Sequence, residues 1–216
     1  MTTSYEQFEK EYTNIRALPQ NGNEIGFFIQ ECLRFHSISG TLKNGGFSLD
    51  ATCSPDERYI THILTRSLLE NFFTILYLFD DLTNTADRYD KLKNTFKVDY
   101  KKLMTDLQKS PWDSVLTQNS LKLEPIDPNW SLTPTMPNVH DILLQVMNQH
   151  GNKLNYLYVI YRISSFDTHG RSLEAILNSV FGKTCNFPVL EGDRIFEVIA
   201  SEYLAILNNL RQQGLI

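Results

Sequence analysis

The sequence predicts an all-α protein, a single-domain helical bundle, and three observations carry this prediction. Apolar residues recur at spacings of three and four over most of the chain, which is typical of amphipathic helices. Residues that cap or stop helices stand at the edges of several of these segments. The alternating patterns and tight hairpin turns of strands are missing. Because 216 residues suffice for one sizeable core, we expect one domain across residues 1–216.

Two helices are predicted before the centre of the chain. Residues 3–17 carry an apolar side chain every three or four positions, so this segment is an amphipathic first helix. A more apolar second helix follows over residues 23–44 and is expected to be largely buried. The glycines of "NGG" at residues 44–46 end it.

The strongest helix signal lies in residues 54–81. Ser54 is a good N-cap, Pro55 suits the first helical position, and the acidic residues that follow favour the positive end of the helix dipole. The interior of this segment is apolar on most sides. We therefore expect a central helix of the core.

The second half of the chain changes character at residue 110. Residues 84–109 predict an exposed, charge-rich helix, but residues 110–137 hold five of the eight prolines and both tryptophans. Such a stretch is usually a lid, a binding loop or a disordered insertion, and we predict a proline-rich loop or insertion here. Helical segments return afterwards, at residues 138–150, 153–169 and 192–213, with a short one at 172–181.

Composition and charge narrow the class of protein. A formal net charge of -5 disfavours broad attraction to nucleic acid, although a local basic pocket stays open. Cys32, Cys53 and Cys185 form no close pair and are expected in the core, so a reduced, cytoplasmic protein is the simpler interpretation. Neither CxxC nor HExxH spacing is present, and we expect no metal and no cofactor.

Membrane association is not expected from the sequence. The N-terminal stretch is charged and lacks the apolar region of a signal peptide. The longest apolar run, residues 72–79, is far shorter than the roughly 20 residues that cross a bilayer. The predicted protein is soluble.

A polar stripe runs along the central helix. His62, Arg66 and Glu70 recur every four residues on an otherwise apolar surface. A charge inside such a helix must be paired or must face a wet cavity, because an unpaired buried charge is expensive. Arg66 and Glu70 can pair with each other. The stripe is either a partly buried salt bridge, an exposed strip, or part of a functional site.

A second polar face is predicted on the helix that contains "YRISSFDTHG", residues 161–170. Tyr158, Arg162, Ser165 and His169 follow helical spacing, with Tyr161 at the edge of their face. Arg162 and His169 lie two turns apart, about 10.5 Å along the helix axis. Their side chains can bind one phosphate-sized anion together. Apolar packing elsewhere around the helix is expected from the following residues: Leu157, Ile160, Ile163 and Phe166.

Among the residues of this face, His169 is the candidate for general acid–base catalysis. Gly170 is expected to end the helix, which places His169 in the last turn, where unpaired carbonyls stabilise an imidazolium. A histidine that titrates near neutral pH can donate a proton as well as accept one, as a general acid or base must. The alternative is that His169 only caps the helix.

An arginine, six residues and then a histidine near a helix end resemble the motif of the HEPN superfamily, helical domains that include many metal-independent ribonucleases. The order "RSLLEN" and then "YRISSFDTH" is also similar to a HEPN-related bacterial family of unknown function. Both likenesses lie within residues 55–180, apart from the proline-rich insertion. The positions that match the family are as follows: Arg66, Glu70, Tyr161, Ser165 and His169. Ile163 stands where active HEPN nucleases usually have a polar residue after the arginine, which favours Arg66 over Arg162 as the catalytic arginine.

The resemblance implies endonucleolytic cleavage of RNA without a metal. His169 would handle the proton of the ribose 2′-hydroxyl or of the leaving oxygen, while an arginine stabilises charge on the phosphate. It implies a homodimer as well. It also implies a role as a toxin or effector in a prokaryotic defence or toxin–antitoxin system, with a protein partner from the same operon.

The acidic charge and Ile163 favour an alternative of another class. In that interpretation the chain is a non-catalytic helical binding or sensor module, or an antitoxin-like partner. Its arginine, glutamate and histidine cluster would then hold the fold together or bind a ligand.

Overall fold

A computed structural model describes residues 2–50, 52–147, 152–170, 172–184 and 191–216. Within these ranges every regular element is a helix, and the predicted all-α fold class is confirmed. The α-helices are α1 (Ser4–Ala17), α2 (Glu24–Asn44), α3 (Pro55–Phe79), α4 (Thr85–Leu107), α5 (Asp113–Asn119), α6 (Val139–Gln145), α7 (Asn152–Thr168), α8 (Leu173–Phe181) and α9 (Gly192–Gln212).

The starts of the first three helices follow from local hydrogen bonding. The side chain of Thr3 caps α1 and that of Asn23 caps α2. Ser54 caps α3 in a reciprocal arrangement with Glu57, and Pro55 occupies the first turn. These caps satisfy N–H groups that a helix start otherwise leaves unpaired, so the predicted beginning of α3 is confirmed.

Backbone packing divides the chain into two units, residues 1–80 with 139–216 and residues 81–138. The first unit contains α1–α3 and α6–α9. In it α3 packs against α2, α6, α7 and α9, so the predicted central helix is central within this unit. The prediction of one domain over the whole chain stays a prediction.

The core of the first unit is aromatic. The last eight residues of α3, Phe72–Phe79, are all buried, as the apolar pattern predicts. Tyr203 of α9 is surrounded by rings from three other helices, and its hydroxyl-bearing ring packs edge-on against Phe28 and Phe35. Because a buried aromatic ring removes a large apolar area from water, this cluster provides much of the driving force that assembles the helices.

The second unit is built on α4. Ion pairs at spacings of three and four line this helix, including Lys91 with Asp87 and Lys102 with Asp99, as its charge pattern predicts. The segment over residues 110–137 is not the wholly irregular loop that its prolines suggest, because it contains α5 and two short 3₁₀ turns. It is tied to α4 where the N–H of Glu124 donates to the hydroxyl of Tyr100 at 2.8 Å.

None of the helices in the described ranges has both the length and the apolar character that crossing a bilayer requires.

Candidate functional site

The contact between α3 and α7 creates the candidate site. Tyr161 of α7 packs its ring edge-on against Phe73 of α3, with ring centroids 5.8 Å apart. Two turns towards the start of α3, Arg66 lies beside the polar residues of α7. The two polar stripes predicted from the sequence therefore meet at one helix–helix contact.

Arg66 is the centre of the cluster. Its Nε donates a hydrogen bond of 2.8 Å to the hydroxyl of Ser165, and its Nη2 donates one of 3.1 Å to the hydroxyl of Tyr161. Its Nη1 donates to Glu70 at 2.6 Å within α3. The guanidinium carbon also lies 4.5 Å from the centroid of the Tyr161 ring. Three hydrogen bonds and a cation–π contact hold the planar guanidinium group of Arg66 in one orientation.

A cavity of about 340 Å³ opens beside this cluster. It is lined by Arg66, Tyr161, Arg162, Ser165, Phe166 and His169. Four of these residues belong to α7, His169 follows the end of that helix, and Arg66 comes from α3. The volume lies near the lower end of the roughly 300 to 1,000 Å³ that small-ligand pockets span, so the cavity is sized for one small group.

Two side chains of this lining, those of Arg162 and His169, have no hydrogen-bond or ion-pair partner among the described residues. Arg162 is exposed and makes no hydrogen bond or ion pair with a described side chain, in contrast to Arg66. His169 is exposed too, and the only bond from it to a described residue is the backbone one from its N–H to the carbonyl of Ser165. Both side chains are therefore available to an anion in the cavity.

His169 stands just beyond the end of α7, whereas the sequence predicts it in the last turn of this helix. The helix ends at Thr168, and Gly170 has a φ of 69°, in the left-handed region that glycine adopts without strain. The imidazole therefore lies at the C-terminal end of α7, beside the cavity. Its position in the cavity lining suits the transfer of a proton to or from a bound group.

Tyr161 contributes a neutral hydroxyl. Burial raises the pKa of its phenol above the ordinary value; the carboxylate of Glu70 raises the pKa further, whereas Arg66 lowers it. The phenol therefore keeps its proton at physiological pH. Its oxygen accepts a hydrogen bond from Arg66, and its own O–H is left to donate.

Ser165 and Glu70 act on Arg66 from two sides. The hydroxyl of Ser165 donates to the carbonyl of Tyr161 at 2.8 Å, so its lone pairs are turned towards the Nε of Arg66. Glu70 is half exposed and is not part of the cavity lining. In this geometry Ser165 and Glu70 orient the guanidinium, and of the two only Ser165 lines the cavity.

His62 is not beside Arg66 in the cavity. Its side chain is 1% exposed, and its Nδ1 lies 2.6 Å from Oδ2 of Asp167. The other oxygen of Asp167 accepts a hydrogen bond of 2.7 Å from the N–H of Leu173, the first residue of α8. The pair thus joins α3, the end of α7 and the start of α8. Along the polar stripe of α3, side-chain exposure increases from His62 through Arg66 to Glu70.

The sequence reasoning missed Asp167 and misplaced Phe166. A buried His62 needs a hydrogen-bond partner, and Asp167 is the one acidic residue within α7, so the sequence of α7 already indicated Asp167 as that partner.

The sequence predicts that Phe166 packs against apolar neighbours. It is instead 44% exposed and lines the cavity. Helical spacing contained this signal as well, because Phe166 follows Arg162 by four residues and precedes His169 by three.

The remaining predicted residues lie elsewhere. Tyr158 stacks on Tyr161, with ring centroids 6.2 Å apart, and is not part of the cavity lining. Cys32 is buried, as expected of a core residue, whereas Cys53 is only half-buried. Burial raises the pKa of the Cys32 thiol well above its ordinary value, so it is protonated and unreactive. Cys185 falls outside the described residues.

Comparison with known proteins yields one family. The model of a family of unknown function, DUF5677, matches residues 32–184, well over half of the chain, and this range includes both helices of the site. No curated protein and no solved structure matches the chain.

Proposed function

Since the chain belongs to the DUF5677 family, whose function is unknown, we propose a function from the site itself: cleavage of RNA by a metal-independent endoribonuclease mechanism. The observation that carries the proposal is the shared cavity lining of Arg66, Arg162 and His169. Two guanidinium groups and an imidazole around one small cavity suit a phosphate diester. The resemblance of the motifs to the HEPN superfamily points to the same chemistry.

In the proposed reaction the nucleophile is the 2′-hydroxyl of the ribose next to the scissile phosphate. His169 takes the proton of this hydroxyl as its oxygen attacks phosphorus. The bond from phosphorus to the 5′-oxygen of the next nucleotide then breaks. That oxygen leaves with a proton from His169 or from water. The products are a 2′,3′-cyclic phosphate and a 5′-hydroxyl, and no electron is gained or lost overall.

The arginines stabilise the charge that develops on the phosphate oxygens. Arg162 is free to form new hydrogen bonds to them, because no described residue engages its guanidinium. Arg66 is already held by Ser165, Glu70 and Tyr161, so it supplies a fixed positive charge at the cavity wall. A preorganised charge needs no reorganisation during the reaction, which makes it effective. The neutral hydroxyl of Tyr161 adds a further donor.

The proposal includes the biological setting that the resemblance implies. The protein acts as a homodimer in the cytoplasm, as a toxin or effector of a prokaryotic defence or toxin–antitoxin system. A protein partner encoded in the same operon restrains it. A net charge of -5 disfavours broad attraction to nucleic acid, and the basic groups are confined to one cavity. The enzyme would therefore act on few RNAs.

The test is cleavage of a labelled single-stranded RNA in the presence of a chelator. The unaltered chain should cleave, and His169→Ala and Arg162→Ala should each reduce the rate about 100-fold or more, the size expected for a general base or an oxyanion-stabilising group. His140→Ala is the matched control, because His140 is an exposed histidine that pairs with Asp141 outside the cavity. Full activity of both site variants would exclude the proposal.

A second function is favoured by one specific observation. Each nitrogen of Arg66 already has a protein partner, as in a structural cluster or a ligand-binding site that performs no chemistry. In that case the chain is a binding or sensor module, and Arg162 with His169 holds an anionic ligand. Tight RNA or nucleotide binding without cleavage, lost in the same variants, would identify this function.

A further inference from the structure

Phe166 is an aromatic ring in the wall of a cationic cavity. It is 44% exposed, although the burial of such a ring is favourable and α7 offers an apolar side that is buried. It makes no ring contact with an aromatic or cationic side chain among the described residues, in contrast to Tyr158 and Tyr161 nearby. A planar apolar face is therefore left beside groups that suit a phosphate.

The spacing along α7 places the ring of Phe166 between Arg162 and His169. Phe166 follows Arg162 by one turn and precedes His169 by slightly less than one, so it stands about 6 Å and about 4.5 Å from them along the axis. A base and the phosphate of its own nucleotide are separated by a comparable length. One nucleotide can thus place its phosphate at Arg162 or His169 and its base over Phe166.

We propose that Phe166 is a stacking platform for one unpaired nucleobase, and that it restricts the substrate to RNA that is single-stranded at the cleavage site. This inference rests on the proposed function and adds a specificity-determining residue to it. A base inside a duplex has both faces covered by its neighbours, whereas a base in a loop or a single strand can turn out and stack on an aromatic side chain.

The dimensions of the cavity agree with one nucleotide. A volume of about 340 Å³ lies near the lower end of the range for small-ligand pockets, which suits one nucleotide. Stacking depends on the π face that all four bases share, so the platform selects the unpaired state and tolerates different sequences.

The experiment measures binding apart from cleavage. The probe is a ten-nucleotide RNA that carries 2-aminopurine at one position and a 2′-O-methyl group on every ribose, which blocks every 2′-hydroxyl nucleophile. Stacking on an aromatic ring quenches the fluorescence of this base. The full chain, Phe166→Ala, Phe166→Trp and the control Phe181→Ala are titrated with the probe, alone and annealed to its complement. Phe181 is an exposed phenylalanine of α8 that does not line the cavity.

The expected result has three parts. The unaltered chain and Phe166→Trp bind the single strand and quench its fluorescence. Phe166→Ala binds about 5- to 100-fold more weakly and loses the quenching, which is the range for removal of one base–aromatic stack. The duplex binds more weakly than the single strand, and Phe181→Ala behaves as the unaltered chain does. Circular dichroism confirms that each variant is folded, as expected for a substitution at a partly exposed position.

The outcomes separate the two proposals. Equal binding of the single strand and the duplex, or full quenching by Phe166→Ala, overturns the stacking platform and leaves the proposed function standing. An equal loss in Phe181→Ala overturns it too, because the effect would not belong to the cavity. If the unaltered chain neither binds the probe nor cleaves its all-ribose counterpart, the proposed function fails, and the platform with it.

Discussion

The Nε of Arg66 donates a hydrogen bond of 2.8 Å to the hydroxyl of Ser165, across the contact between α3 and α7. The two residues are 99 positions apart in the chain. Their bond turns two separate helical stripes into one site, and it orients a guanidinium at the wall of the cavity.

Ser165→Ala should cost about 1.5 to 3 kcal/mol of unfolding free energy, the range for a hydrogen bond to a charged group, and should reduce RNA cleavage. Ser164→Ala is the matched control. Its hydroxyl also donates to the carbonyl of Tyr161, at 3.1 Å, but contacts no arginine. Chemical denaturation and cleavage rates measured for both variants isolate the Arg66 contact. Equal losses in the two variants would show that the bond to Arg66 contributes nothing.

Tyr161→Phe should lower the cleavage rate with only about 1 kcal/mol lost in stability, because the ring keeps its packing on Phe73 and only the hydroxyl is removed. The hydroxyl accepts from Arg66 and is a neutral donor towards the cavity. Tyr158→Phe is the control, since Tyr158 lies outside the lining. A rate for Tyr161→Phe equal to that of the control would remove Tyr161 from the site.

Asp167→Ala should destabilise the protein by about 3 to 5 kcal/mol, because it leaves the buried His62 and the N–H of Leu173 without their partner. Asp167→Asn keeps an acceptor for Leu173 and should cost less. Asp106→Ala removes one partner of an exposed ion pair with Lys109 and should change stability by less than about 1 kcal/mol. Thermal and urea unfolding report these differences. A loss for Asp167→Ala no larger than that for Asp106→Ala would contradict the structural role of the pair.

Glu31→Gln should stabilise the protein at neutral pH, by an amount on the order of 1 kcal/mol. Burial raises the pKa of the Glu31 carboxyl, an effect that its ion pair with Arg34 only partly offsets, and one carboxyl oxygen has no hydrogen-bond partner among the described residues. The folded chain therefore holds this proton more tightly than the unfolded chain does.

The sign of the pH dependence follows from linkage. Because the folded pKa is above the unfolded one, the contribution of Glu31 to stability falls as pH rises from the unfolded pKa through the folded one. The advantage of Glu31→Gln should thus be present at pH 7 and should vanish in acid, where Glu31 is protonated in both states. Urea unfolding between pH 4 and pH 7 measures it. A constant difference across this range would refute the explanation.

Local sequence was sufficient for the helices. The cap of α3, the charge pattern of α4 and the stop at Gly170 depend on residues within a few positions of each other, and the structure has them where the sequence predicts. The segment over residues 110–137 was predicted less well. Its prolines mark turns correctly but do not show that α5 forms between them, because a seven-residue helix has too little periodicity to detect.

For the site, the sequence by itself determined the chemical inventory and its distribution over two helices: Arg66 and Glu70 on α3, with Tyr161, Arg162, Ser165 and His169 on α7 or at its end. Tertiary structure alone decided which of them meet. In the folded chain Arg66 bonds to Ser165 and Tyr161, and Phe166 lines the cavity. His62 pairs instead with the buried Asp167. The reason is that helical spacing fixes which residues share a face, whereas the relative rotation of α3 and α7 is set by their packing over distant stretches of the chain.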